Sequence, residues 1–239
     1  MGQLLGRTLV RSIIRPPVRP IIRLPVRSFV VFDVDNTLYT RKHKAMQYMT
    51  YRNEKYREKY PKKKNETFAD EIRRVDFISE GAVSKCIKPS LTELHKLHTL
   101  FESLTKTLNL KIWTFSNGSN KHVSDVLDVL KITDYFDGHI NLTSISDKYN
   151  KYDKYISKPS QKAYQIAEDE MKFNKDFDKI YFIDDHNKNI EASIKRKNWI
   201  SILVDEKGTR SVDGALKIKS INELKYKIPE LFIYTLDTK

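Results

Sequence analysis

A chain of 239 residues, 39% hydrophobic and 31% charged, is long enough for one well-buried domain with an insertion or a tail. No run approaches the roughly 18 consecutive apolar residues of a membrane-spanning helix, and the single cysteine, Cys86, excludes an intrachain disulfide and a cysteine-based metal site. The net charge of +13 points to an anionic partner but is uneven: six arginines and no acid precede Phe29, and ten lysines or arginines stand against two glutamates from Arg41 to Lys64.

Residues 1–28 read as a basic segment outside the fold. It holds a short repeat, "IIRPPVRP" from Ile13 and "IIRLPVRS" from Ile21, with Arg at every fourth position. Prolines at 16, 17, 20 and 25 prevent a continuous helix through it. Two readings fit: a disordered basic tail, with the protein cytoplasmic, or a mitochondrial transit peptide, which is Arg-rich and poor in acids. Gly2 raises myristoylation, but Gly6 stands where that pattern needs Ser or Thr.

Next come apolar runs alternating with helical patterns. "FVVFDV" (29–34), "KIWTFS" (111–116), "KIYFID" (179–184) and "WISILV" (199–204) have the length and the β-branched or aromatic content of buried strands. Between them, "SNKHVSDVLDVLKI" offers Ser119 as an N-cap and a stripe of Val123, Val126, Leu127 and Leu130. "SQKAYQIAEDEMKF" carries Ala163, Ile166, Ala167 and Met171 on one face, and "HNKNIEASIKRKN" follows the third run. Strand–helix alternation implies an α/β fold: a Rossmann-like parallel sheet sandwiched by helices, with right-handed crossovers.

The interval 41–105 interrupts the alternation. It reads as charged and helical, and its clearest stripe is Leu91, Leu94, Leu97, Leu100, Phe101 and Leu104. The expectation is a small helical cap at 41–105, inserted after the first strand into a core of 29–40 and 106–239. The basic run within it, interleaved with Tyr48, Tyr51, Tyr56 and Tyr60, has three readings. It is a solvated helix whose tyrosines pack on the cap, which is favoured, a surface that attracts phosphorylated substrates, or a nucleic-acid surface. His95 and His98, three apart, read as a solvated helix face rather than as metal ligands, because nothing in the sequence pairs with them.

In open parallel sheets, ligands bind beyond the carboxyl ends of the strands, so the residues after each run converge. These are Asp33, Asp35 and Thr37, then Ser116 and Asn117, then Lys158 in the loop before a helix, then Asp184 and Asp185. Acids at two strand ends with a lysine and a hydroxyl suit a hard cation beside a phosphate, which points to Mg2+. If strand conformation persists through Asp33-Val34-Asp35, both carboxylates project to one side; one can attack phosphorus while the other handles the leaving-group proton.

In order, "FDVDNTLY", "TFSNG", "KPSQKAY" and "FIDDHNKNI" resemble the four motifs of the haloacid dehalogenase superfamily of phosphatases, and the first and last are most similar to its pyrimidine 5'-nucleotidase branch. The resemblance spans roughly 29–230 and implies an Mg2+-dependent phosphomonoester hydrolase acting on a nucleoside monophosphate or similar small ester. It implies Asp33 as the nucleophile that becomes an aspartyl-phosphate and Asp35 as general acid, then base. Thr37 would support the turn, Ser116 and the backbone at Asn117 would hold phosphate, and Lys158 would neutralise charge. Asp33, the Asp35 carbonyl, Asp184 and Asp185 would hold Mg2+. A phosphoprotein substrate and a nonenzymatic basic nucleic-acid-binding module on the same fold are the alternatives. Substrate identity and oligomeric state are not readable here.

Overall fold

The computed structural model describes residues 26–61, 70–71, 82–149 and 156–233. All of the Arg-rich repeat but its last three residues, Val26 to Ser28, and Lys62 to Lys64 of the basic run lie outside the described residues. Six strands form one sheet: β1 (Ser28–Phe32), β2 (Leu110–Phe115), β3 (Gly138–Ile140), β4 (Lys179–Asp184), β5 (Trp199–Val204) and β6 (Leu216–Ile218). Their spatial order is β3-β2-β1-β4-β5-β6, and every pairing is parallel. The eight helices named here are α1 (Ala45–Lys59), α2 (Ala82–Cys86), α3 (Leu91–Thr105), α4 (Asn120–Leu130), α5 (Leu142–Tyr149), α6 (Gln161–Glu170), α7 (Asn187–Ile194) and α8 (Leu224–Lys227). No helix among the described residues is long and apolar enough to cross a membrane.

The strand period of two divides the core between the two faces of the sheet. On one face Val30, Phe32, Ile112, Ile183 and Ile202 pack with α3 and with Val123, Val126, Leu127 and Leu130 of α4. On the other, Phe29, Val31, Phe115 and Phe182 meet Ala163, Tyr164, Ile166 and Ala167 of α6 and Ile190 of α7. The edge strands β3 and β6, three residues each, have no apolar run long enough to announce them.

Two sets of contacts lie beside the boundaries that the sequence suggests. The fold begins before residue 29: Ser28 pairs with both Leu110 and Lys179, and the Arg27 guanidinium lies 2.7 Å from the buried Asp178. An ion pair and strand hydrogen bonds tie the end of the basic segment to the edge of the fold. At the other end, α3 lies within the stretch expected as cap, yet its Leu97, Leu100, Phe101 and Leu104 are buried with β1 and β2 in a single cluster. Phe101 is fully buried and stacks on Tyr135 at 5.7 Å; truncating such a core aromatic costs about 3–5 kcal/mol. The helix therefore packs on the sheet. It starts sharply because Ser90 and Glu93 make a reciprocal capping box.

The strand order reverses at β1, because the chain runs from β1 to β2 and β3 on one side and to β4, β5 and β6 on the other. A crevice therefore opens at the carboxyl ends of β1 and β4, where Asp33 and Asp184 stand.

Candidate active site

β1 ends at Phe32, so strand conformation does not persist through Asp33-Val34-Asp35. The Asp33 N–H still donates to the Ile183 carbonyl at 2.8 Å, and the chain then turns, with Leu38 N–H on the Val34 carbonyl at 3.1 Å and Asn36 at φ 57°. Asn is among the residues that tolerate that left-handed conformation. The turn separates the environments of the two aspartates. Asp33 stays with the lysine and the other acids, and Asp35 meets α4 (Asn120–Leu130).

Lys158 joins the first group. Its ammonium lies 2.7 Å from Asp33 Oδ1 and 2.7 Å from Asp184 Oδ2, between the rings of Phe115 and Phe182, whose centroids are 5.1 and 5.3 Å away. Asn117 holds the backbone of this lysine: its Nδ2 donates to the Lys158 carbonyl at 2.9 Å and its Oδ1 accepts from the Lys158 N–H at 2.9 Å. The Asn117 side chain, not only its backbone, therefore has a task here, and it is to position the lysine. Ser116 is buried with Oγ accepting from Gly118 N–H at 2.9 Å, and Thr37 Oγ1 donates to Asp33 Oδ2 at 3.2 Å.

Asp184 is fully buried and accepts from the His186 N–H at 2.8 Å and from Asn189 Nδ2 at 2.9 Å, besides Lys158. Asp185 turns outward to Arg41, 2.6 Å away, while Arg210 donates to the Asp185 carbonyl at 2.7 Å. One oxygen from each of Asp33, Asp184 and Asp185 lies within 4.8 Å of the others, and this is the one group of its kind among the described residues. His95 and His98 belong to no such group; His98 instead meets the Tyr135 hydroxyl at 3.2 Å.

Electrostatics follow from this packing. Burial alone would push the Lys158 ammonium down, but Asp184 and Asp33 outweigh it and hold the group charged. Asp33 is pushed well above the usual carboxylate value by burial; Lys158 opposes this, and Asp184, Asp35 and Asp185 add to it. Asp185 is pushed up by burial and by Asp184, against Arg41. Asp33 and Asp184 share one lysine and Asp185 has the half-exposed Arg41, so three carboxylates face two cations and the cluster is short of positive charge. The all-oxygen donor set fits a hard divalent cation such as Mg2+.

Asp35 has different partners. His122 Nε2 lies 2.8 Å from its Oδ1 and 3.0 Å from its Oδ2, and the Tyr39 hydroxyl donates to Oδ1 at 2.5 Å. Burial would raise this carboxyl, but the imidazole charge and these hydrogen bonds hold it below the usual value. Sequence reasoning missed His122, Arg41, Arg210 and Asn189 at this site. His122 had a faint signal: it stands four residues before Val126, so it continues the apolar stripe of α4 as a polar residue.

A sequence-family model of haloacid dehalogenase-like hydrolases matches residues 28–195. Solved structures share the fold. A HAD phosphatase from Thermococcus onnurineus aligns with a TM-score of 0.58 at 14% identity, over 88% of this chain and 100% of that one. A 2-haloacid dehalogenase from Pseudomonas syringae pv. Tomato DC3000 aligns at 0.52 and 16% identity, over 86% and 98%. A HAD hydrolase from Bacillus subtilis bound to magnesium aligns at 0.51 and 11%, over 85% and 98%. The chain belongs to the haloacid dehalogenase-like hydrolase family.

Proposed function

We propose that this hydrolase is an Mg2+-dependent phosphomonoesterase that works through an aspartyl-phosphate on Asp33. The observation that carries the reading is the pairing of an acid cluster with a separate, hydrogen-bonded acid: Asp33, Asp184 and Asp185 within 4.8 Å, and Asp35 held apart by His122 and Tyr39. Both dehalogenases and a phosphatase share this fold, and the two chemistries make different demands. Halide departs without needing a proton, and a crowd of carboxylates opposes both it and an anionic haloacid. A phosphate ester needs positive charge on its oxygens and a proton for its alcohol.

Asp33, Asp184, Asp185 and the Asp35 carbonyl would hold the ion, whose chemistry is to screen the anionic phosphoryl group from the anionic nucleophile. An Asp33 oxygen attacks phosphorus, the ester P–O bond breaks, and its electron pair leaves on the alcohol oxygen, which takes from Asp35 the proton that this carboxylate accepted from the monoanionic ester on binding. Water then attacks the aspartyl-phosphate, gives its proton to Asp35, and inorganic phosphate departs as the Asp33 carboxylate re-forms. Lys158 neutralises charge between Asp33 and the phosphoryl oxygens, and Ser116 with the adjoining N–H groups cradles them.

The substrate class that fits is a nucleoside monophosphate or a similar small ester. The test is phosphate release from a panel of such esters, with Mg2+ or with chelator, in wild type and Asp33→Asn. Turnover that needs metal and is abolished by the substitution supports the reading; turnover that survives either change, or chloride release from haloacids without phosphate release from any ester, overturns it.

A further inference from the structure

His122 stands at the third position of α4, its N–H on the Oγ of the helix cap Ser119 at 3.2 Å, and its side chain is buried. An ionised carboxylate only accepts hydrogen bonds, so the proton of this imidazole faces Asp35 on Nε2, and the Tyr39 hydroxyl likewise donates. Oδ1 of Asp35 thus takes two donors, at 2.8 and 2.5 Å, while Oδ2 takes one at 3.0 Å. Oδ2 keeps lone-pair capacity and is the oxygen free to carry a travelling proton. A second feature ties the ring to this place: a Cβ on Gly118 would come within 2.6 Å of His122 Cδ2, so the glycine of "TFSNG" leaves room for the imidazole.

We propose that His122 is a positioning residue that grips Asp35 by both carboxylate oxygens and so presents Oδ2 as the proton carrier of the reaction. The inference rests on the phosphatase reading above and deepens it. A histidine that merely filled the α4 stripe would be replaceable by leucine without consequence for chemistry. One that positions Asp35 matters in proportion to how badly the leaving group needs a proton.

That dependence is the test. With Mg2+ present, kcat/KM is measured for p-nitrophenyl phosphate, whose leaving group departs without a proton, and for uridine monophosphate and glycerol phosphate, whose alcohols require one. His122→Leu is expected to lower kcat/KM on the alkyl esters by about 100-fold and on p-nitrophenyl phosphate by less than about threefold. His122→Gln, which restores an N–H donor, should recover about tenfold of the alkyl-ester loss. Because Asp35 also serves the water step, His122→Leu should release a burst of one p-nitrophenol per site before slow turnover.

An equal loss on all esters, or no loss on any, in a protein that melts like wild type overturns the assignment. If His122→Leu does not fold, His122→Gln carries the same comparison of esters. The two readings fail differently: absent wild-type turnover on every ester, or turnover surviving in Asp33→Asn, sinks the phosphatase reading and this inference with it, whereas wild-type turnover with a uniform His122 effect sinks this inference alone.

Discussion

The ring of His122 occupies the space that a side chain at Gly118 would need: a Cβ there would lie 2.6 Å from His122 Cδ2 and 3.1 Å from Ser116 Oγ. The φ of Gly118 is not positive, so the constraint is on space rather than on conformation. Gly118→Ala must therefore shift the imidazole or the helix start. The expected result is a loss of about 100-fold in kcat/KM on alkyl phosphates, the size associated with an ångström-scale misplacement. Steady-state kinetics beside a thermal melt would check it; full activity with an unchanged melt would show that the ring has room to move.

Lys158 is the one ammonium among the described residues that joins Asp33 to Asp184, and its side chain has no exposed surface. Lys158→Met keeps bulk between Phe115 and Phe182 but leaves two buried carboxylates without their cation. Removing one partner of a buried ion pair costs about 3–5 kcal/mol. Urea unfolding without divalent cation should show a loss of that order. Added Mg2+ should restore part of it, since a ligand that binds only the folded state raises its stability.

Arg41 holds Asp185 from the start of the inserted segment, at 2.6 Å, with half of its side chain open to water. Its charge competes for a carboxylate of the proposed ion site. Arg41→Ala is expected to tighten Mg2+ binding by up to about fivefold, the scale of an exposed ion pair worth about 1 kcal/mol or less. Calorimetric titration of the folded protein reads this directly, and weaker binding in the variant would mean that the guanidinium supports the site instead.

Asp178 gives a pH signature remote from the site. Burial would raise its carboxyl, but the hydrogen bonds from Arg27 and from the Asn174 N–H hold it below the usual value. A carboxyl depressed in the folded state adds stability that is complete above its unfolded value, about 4, and is lost as pH falls through the folded value. Asp178→Asn should therefore cost about 1–2 kcal/mol at neutral pH, kept small by the partly exposed Arg27. The gap from wild type should close on acidification below about pH 4. Melting both proteins from pH 7 to pH 2.5 would show it; a gap constant with pH would assign the cost to packing.

Much of this fold follows from short-range pattern. The apolar runs at 29, 111, 179 and 199 and the stripes of α4 and α6 are legible because a strand or helix must bury one periodic face, and periodicity is written in the order of residues. The strand-end residues Asp33, Asp184 and Asp185 were legible for a related reason, since a parallel sheet brings its carboxyl ends together whatever the loops contain. Pairings between residues distant in the chain were not legible. His122 stands 87 positions from Asp35, and Arg41 stands 144 from Asp185. Which side chains meet across such gaps depends on the angle at which helix and sheet pack and on the turn at Asn36, and no local periodicity encodes either. The same cause explains α3, whose stripe shows in the sequence while the surface it covers does not. The order of residues determined the four central strands, the helices between them and the acids at the crevice; the packing of α3, α4 and the first loop against that sheet decided which partner each acid received.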